Sequence, residues 1–271
     1  VLGSTNDSLL ACLLGATSVN PLPPHYRCTN CHYTTFGRDR YEDGWDMPDA
    51  VCPVCGGSME GDGHRLSSRS LAMRLPDISL RVPDEMRQLV TDFIPDYWQR
   101  MDENGIFTVE PYSDEELTAL RLVQSDGQQG IIEIGALRDD ALALEGLPPL
   151  TTTYHHIKAM GLQLAEGAWS RAEQIAIHRG DVDFLDVIAF REDVYDLIRR
   201  HTPPKARAEN GIPWQIMEAV RKGKYARYGM PEELKRYLSC TLRLPKYYIS
   251  ALKRIEYLPK KGDCVARWMM E

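Results

Sequence analysis

The stretches Arg27-Cys28-Thr29-Asn30-Cys31-His32 and Val51-Cys52-Pro53-Val54-Cys55-Gly56-Gly57 govern the reading of this chain. Each carries two cysteines separated by two residues, and twenty residues lie between the pairs, a spacing that suits a four-thiolate zinc site. A Cys-x-x-Cys turn aims two sulfurs at one point, and two such turns complete a tetrahedron around a borderline-soft cation. Gly56 and Gly57 fit the tight backbone turn that follows the second pair. Four sulfurs leave no position for water, so Cys28, Cys31, Cys52 and Cys55 are expected to bind a structural Zn2+ and not a catalytic one. His25, His32 and His64 lie close by as substitute or supporting ligands, with a solvated or capping role the simpler expectation for each.

The remaining cysteines, Cys12, Cys240 and Cys264, are scattered singly, which makes the total of seven odd. That usage suits metal binding in a reducing cytoplasm better than a disulfide framework. With 43% hydrophobic residues the chain has material for a core, so disorder is not the expectation. No apolar run approaches the length of a membrane span, and the first residues lack a basic leader, so a cytoplasmic protein without membrane contact is expected.

Working outward from the cysteines, Ser8 to Leu14 reads as an amphipathic helix capped by Ser4 or Asn6, and Asn20-Pro-Leu-Pro-Pro24 stops it. The segment 25–64, rich in Gly, Pro and Asp, reads as turns stapled by metal. Ile78, Leu80 and Val82 alternate with Asp77, Ser79 and Arg81, the period of a half-buried strand, and a second strand is expected at Gly130 to Ile134 around Glu133. From Thr153 the pattern is helical: His155 to Leu164, Ser170 to His178, Asp183 to Arg200, Pro213 to Lys222, Pro231 to Leu238 and Tyr247 to Tyr257. The expected organisation is α+β, with residues 1–145 as one region and 146–271 as a mainly helical second one.

Charge is unevenly distributed. From Pro213 to Glu271 there are 13 Lys and Arg against 6 Asp and Glu, whereas the first 212 residues hold 19 against 33. A basic end on an acidic body suits either a polyanion partner or an intramolecular dock. Arg221, Lys222, Lys224 and Arg227 cluster beside Tyr225 and Tyr228, and Lys253, Arg254, Lys260 and Lys261 extend the basic stretch. Cations interleaved with tyrosine suit phosphates and bases. Cations at a helix C-terminus that complement its dipole, with half-buried tyrosines, are the structural alternative.

Asn20-Pro-Leu-Pro-Pro-His-Tyr-Arg-Cys28 resembles the catalytic core of the PolC-type DNA polymerase III alpha subunit of Gram-positive bacteria, in which a similar Pro-rich stretch leads into a four-cysteine zinc module. The likeness continues through Asp62-Gly63-His64 and Leu75-Pro76-Asp77-Ile78. It resumes at Val187-Ile188-Ala189-Phe190-Arg191-Glu192-Asp193, at Met217 to Lys224 and at Tyr257-Leu258-Pro259-Lys260. The resemblance implies a palm-like small sheet of the nucleotidyltransferase type followed by a fingers-like helical part near template and nucleotide.

The departures fall where that family's chemistry resides. It uses two aspartates two apart on one strand and a third on a neighbouring strand to hold two divalent cations. Here the pair reads Asp77-Ile78-Ser79, and near the third position only Glu133 offers a carboxylate. The glycine- and serine-rich triphosphate loop corresponds to Gly3-Ser4-Thr5-Asn6-Asp7, with Leu2 where an arginine is expected. Gly262-Asp263 stands where a histidine follows the Pro-Lys, and much of the fingers is missing, with Gly127 to Ile132 as a remnant of a glycine-rich loop. The resulting expectation is a catalytically degenerate relative, with Asp77, Ser79 and Glu133 as remnants, that binds DNA, a nucleotide, or a replication or defence partner. A minimal nucleotidyltransferase using Asp77, Glu133 and Asp84 with Mg2+, and a protein-binding scaffold, are the alternatives.

Overall fold

The computed structural model describes residues 2–37, 40–66, 78–82, 107–111, 119–124, 129–136, 144–203 and 211–269. Two compact units emerge, Val1–Asp140 with Val265–Glu271, and Ala141–Cys264. The architecture is α+β, as the sequence pattern implies, with the strands in the first unit and most of the helices in the second.

The first unit opens with β1 (Leu2–Gly3), a 3-10 turn at Ser4–Asp7 and α1 (Leu9–Leu13). Ser8 caps α1 by accepting a hydrogen bond from the Ala11 amide at 3.2 Å, so the cap lies closer to the helix than the expected Ser4 or Asn6. The cysteine-bearing segment holds four short strands as well as turns: β2 (His25–Cys28), β3 (Thr34–Phe36), β4 (Ala50–Val51) and β5 (Ser58–Asp62). They form an antiparallel sheet in the order β3-β2-β5-β4. Strands of two to five residues are too short for alternation to reveal them, which is why the segment reads as turns.

A second sheet combines β1 with β6 (Ile78–Val82), β7 (Phe107–Pro111), β8 (Ala119–Gln124) and β9 (Gln129–Ala136) in the order β1-β6-β9-β8-β7. The β6–β9 pair is parallel and the other neighbours are antiparallel. β6 and β9 match the two expected strands, and Gly130 to Ile132, expected as a loop remnant, belong to β9. The sequence did not suggest β7 and β8.

The second unit contains α2 (Thr153–Leu164), α3 (Arg171–His178), α4 (Arg191–His201), α5 (Ile212–Arg221), α6 (Lys224–Tyr228), α7 (Glu232–Arg236) and α8 (Lys246–Arg254). α9 (Lys261–Trp268), absent from the sequence expectation, crosses the division between units. Ile157, Val187, Phe190, Val194, Ile198, Met217, Val220, Leu238, Leu252 and Ile255 form the buried helical core. The single helix expected over Asp183 to Arg200 is interrupted: a 3-10 turn occupies Phe184–Asp186 and α4 starts at Arg191. The Asp193 carboxylate accepts from the amides of Ala189 at 2.8 Å and Phe190 at 3.1 Å, which fixes the helix start there. Likewise, α7 gives way to a π-helical turn at Tyr237–Thr241 instead of continuing to Leu238. Among the described residues no helix is long and apolar enough to cross a membrane.

Candidate functional site

The two Cys-x-x-Cys turns have the same backbone geometry. In the first, the Cys28 amide donates to Tyr33 O at 2.9 Å and the His32 amide to Cys28 O at 3.1 Å. In the second, the Cys52 amide donates to Gly57 O at 2.8 Å and the Gly56 amide to Cys52 O at 2.9 Å. The residue after each second cysteine is left-handed, His32 at φ 61° and Gly56 at φ 71°. Cys28 ends β2 and Cys52 follows β4, so both turns project from the same sheet.

The sulfurs of Cys28, Cys31, Cys52 and Cys55 lie within 4.8 Å of one another. Cys28 Sγ is 3.5 Å from Cys55 Sγ, and Cys31 Sγ is 3.6 Å from Cys52 Sγ. Four sulfurs about 2.3 Å from one zinc ion would stand about 3.8 Å apart, so the tetrad fits that ion with little adjustment. The Cys31 amide points at Cys28 Sγ from 3.4 Å, and this bond leads the effects that pull the Cys28 thiol down to about 6; the Cys31 thiol moves the other way, to about 12, because a bond from the Tyr33 amide is outweighed by burial and the bonds of the neighbouring thiols. Cys28 and Cys52 are buried beside Met59, while Cys31 and Cys55 are exposed. These four residues could hold a zinc ion.

A side chain at Gly56 would meet nothing within 4 Å, so Gly56→Ala should destabilise by about 1–2 kcal/mol through the left-handed backbone alone. Gly223 is also left-handed at φ 62°, but its Cβ would lie 2.4 Å from Glu256 O, so Gly223→Ala should cost about 3 kcal/mol. Denaturant titration of the two variants checks both the order and the gap.

None of the nearby histidines reaches the sulfurs through a hydrogen bond. His25 faces Pro23 O at 2.9 Å, and His32 is exposed. His64 Nδ1–H donates to Asp43 Oδ2 at 2.8 Å, with both side chains at 0% exposure and the Trp45 ring edge-on to the imidazole. Asp43 also accepts from the Trp45 amide at 3.1 Å. This buried pair was not foreseen; its sequence signal was only the acidic cluster around Asp43.

For the expected remnants of nucleotidyl-transfer chemistry, backbone register is decisive. Ser79 on β6 is the partner of Glu133 on β9, and Leu80 that of Ile134. The sheet therefore brings Ser79 and Glu133 to one register position, while Asp77 and Asp84 lie outside the described residues. The segment matched to a triphosphate loop has Thr5, Asn6 and Asp7 buried, and Asn6 accepts from the Thr17 hydroxyl at 2.7 Å.

The expected basic residues separate into two sets. Lys222, Lys224, Arg227 and Lys253 are exposed, and Arg221 and Lys260 are half-buried. Arg221 holds Glu218 through bonds of 2.5 and 2.8 Å. Lys261, by contrast, is 4% exposed with its ammonium 4.6 Å from the Tyr154 ring centre, so it does not belong to a basic surface. Arg254 is tied to the buried Glu173 and donates to Gly167 O at 2.9 Å, which makes it a packing residue. Cys264 is fully buried, and burial pushes its thiol well above the ordinary range; Cys240 is exposed.

The stretches that carried the family resemblance pack on one another within each unit. In the first, the amides of His64, Arg65 and Leu66 donate to Asn20, Leu22 and Pro21, and Asn20 Nδ2 donates to Asp62 at 2.6 Å. In the second, the Arg191 amide donates to Pro259 O at 3.0 Å, the Lys261 amide to Glu192 Oε2 at 3.0 Å and the Leu258 amide to Arg221 O at 3.4 Å. A comparison with known proteins finds the same likeness. PolC-type DNA polymerase III of Thermotoga petrophila is 42% identical over an alignment of 396 residues that takes in 97% of the chain. The chain is homologous to a segment of PolC-type DNA polymerase III. The Thermotoga maritima polymerase is 40% identical over the same extent, and that of Bacillus subtilis is 40% identical over 88 residues, 31% of the chain. The alignment is longer than the chain itself, so the Thermotoga polymerases carry roughly a hundred or more residues that have no counterpart here. The chain spans 28% of the length of these two relatives. No family model matches it.

Proposed function

We propose that this chain is a zinc-stapled, palm-like and fingers-like derivative of the PolC-type catalytic core that serves replication by binding DNA and does not transfer nucleotides. The observation that carries the reading is the register of Ser79 with Glu133. In the family that the chain resembles, a second strand aspartate stands where Ser79 does, and it helps to hold the divalent cations. A serine hydroxyl brings no negative charge, so two-metal stabilisation of attacking and leaving oxygens loses a term worth several kcal/mol in the transition state. Buried Asp7 in the segment matched to the triphosphate loop is a second obstacle, because a carboxylate there repels a triphosphate. On this reading the zinc ion is structural, since four thiolates leave it no position for a reacting group.

Primer extension with Mg2+ or Mn2+ tests the proposal. The expected result is no incorporation above a protein-free control, together with retained binding to the primer-template. Incorporation that disappears in Asp77→Ala would overturn it in favour of a minimal nucleotidyltransferase.

A further inference from the structure

A groove of about 550 Å3 opens between α5 and α6, wholly within the helical unit. The α5 wall supplies Trp214 and Glu218, Lys222 caps its end, and the α6 wall supplies Lys224, Arg227 and Tyr228. The volume lies in the ~300–1,000 Å3 range of pockets that take small ligands, enough for a nucleotide unit. Trp214 is half-buried and meets Tyr195 edge-on, with ring centres 6.4 Å apart. Tyr228 is 80% exposed, an uncommon state for a large aromatic ring that supports nothing in the core.

The charges set the class of occupant. Burial pushes the Glu218 carboxyl up, but bonds from Arg221 and then Lys222 outweigh it and hold the group below the usual range, ionised and already engaged. Arg227 donates to the carbonyls of Lys222 and Gly223 at the end of α5, so its positive charge is anchored beside the groove by neutral acceptors. Lys224 is exposed on the same wall. The groove thus joins a net positive rim to aromatic faces, a combination that takes a phosphodiester and an unpaired base together. A duplex keeps its base faces stacked and cannot use the aromatic wall.

We infer that this groove seats single-stranded DNA, with one unpaired base stacked on Tyr228 against the Trp214 wall and the flanking phosphate held by Lys224 and Arg227. The inference rests on the DNA-binding reading above and sharpens it to a strand type and a base seat. Fluorescence anisotropy with a labelled oligothymidylate, the same oligomer carrying abasic sites, and a blunt duplex tests it on the full chain. The expected result is preference for the oligothymidylate, loss of about tenfold or more in affinity in Tyr228→Ala, recovery in Tyr228→Phe, and a comparable loss with the abasic oligomer. Tyr228 is exposed enough for its truncation to leave folding intact. Lys224→Gln should weaken binding and flatten the salt dependence. Unchanged affinity in Tyr228→Ala alongside weakened Lys224→Gln, or equal binding of the duplex, overturns the base seat and leaves DNA binding standing. Absence of binding to every probe overturns both.

Discussion

Cys52→Ser should empty the zinc tetrad and unfold the cysteine-bearing sheet while leaving the helical unit folded. Removing one thiolate leaves three sulfurs, with Cys31 and Cys55 on the exposed side and Cys28 under Met59. The four strands around them are two to five residues long, far short of an independently stable sheet. In small modules of this kind the metal contributes on the order of 10 kcal/mol, more than such a sheet has without it. The expected readout is one zinc per chain by elemental analysis, lost in Cys52→Ser, with rapid proteolysis within the cysteine-bearing sheet and protection of residues 153–203 and 211–254. A chelator should reproduce the pattern, and acid should release the metal because protons compete for the sulfurs. Wild-type protein that contains no zinc, or a Cys52→Ser variant with an undisturbed protease pattern, would contradict the assignment.

The second large effect belongs to Asp43. Its carboxylate and the His64 imidazole are both at 0% exposure, and the same carboxylate accepts from the Trp45 amide. Asp43→Ala strands the buried His64 donor and the part-buried Trp45 amide at once, and leaving such donors without an acceptor costs about 1–3 kcal/mol each. Asp43→Asn keeps a carbonyl oxygen for one of the two donors and should cost less. Denaturant unfolding of the zinc-loaded protein measures both. A shift below about 1 kcal/mol for Asp43→Ala would show that the pair does not hold this part of the chain.

Much of this was legible in the sequence, for identifiable reasons. The convergence of the four cysteines could be read because ligand spacing is a local property: knuckle geometry fixes two residues between cysteines whatever surrounds them. β6 was visible because Ile78, Leu80 and Val82 alternate with polar residues. The polymerase resemblance survived in Val187 to Asp193 and Tyr257 to Lys260 because these stretches are mutual packing partners through Arg191, Pro259 and Glu192.

What escaped depended on distant partners. Lys261 reads as surface charge in sequence, and only the fold places its ammonium against Tyr154. The Asp43–His64 pair joins residues 21 positions apart that no local pattern connects. α9 was hidden behind Lys260-Lys261-Gly262, a basic run with a glycine that reads as a tail, although Glu192 accepts from the Lys261 amide at its start. The interruption before α4 rests on one carboxylate, Asp193, turned back onto two amides.

The strand order β1-β6-β9-β8-β7 bears on how the chain is made. β9, at the middle of the five-stranded sheet, is also its last strand in sequence. During synthesis β6 can pair with β1 as soon as it emerges, and β7 with β8, but among the described strands none pairs with both halves until β9 is out of the ribosome. At about 5–20 residues per second the first half waits several seconds with the β6 edge unpaired. The two cysteine knuckles lie earlier in the chain and close over short loops, so a zinc ion held there would let them be complete during that wait and give the nascent chain one folded landmark beside an open edge.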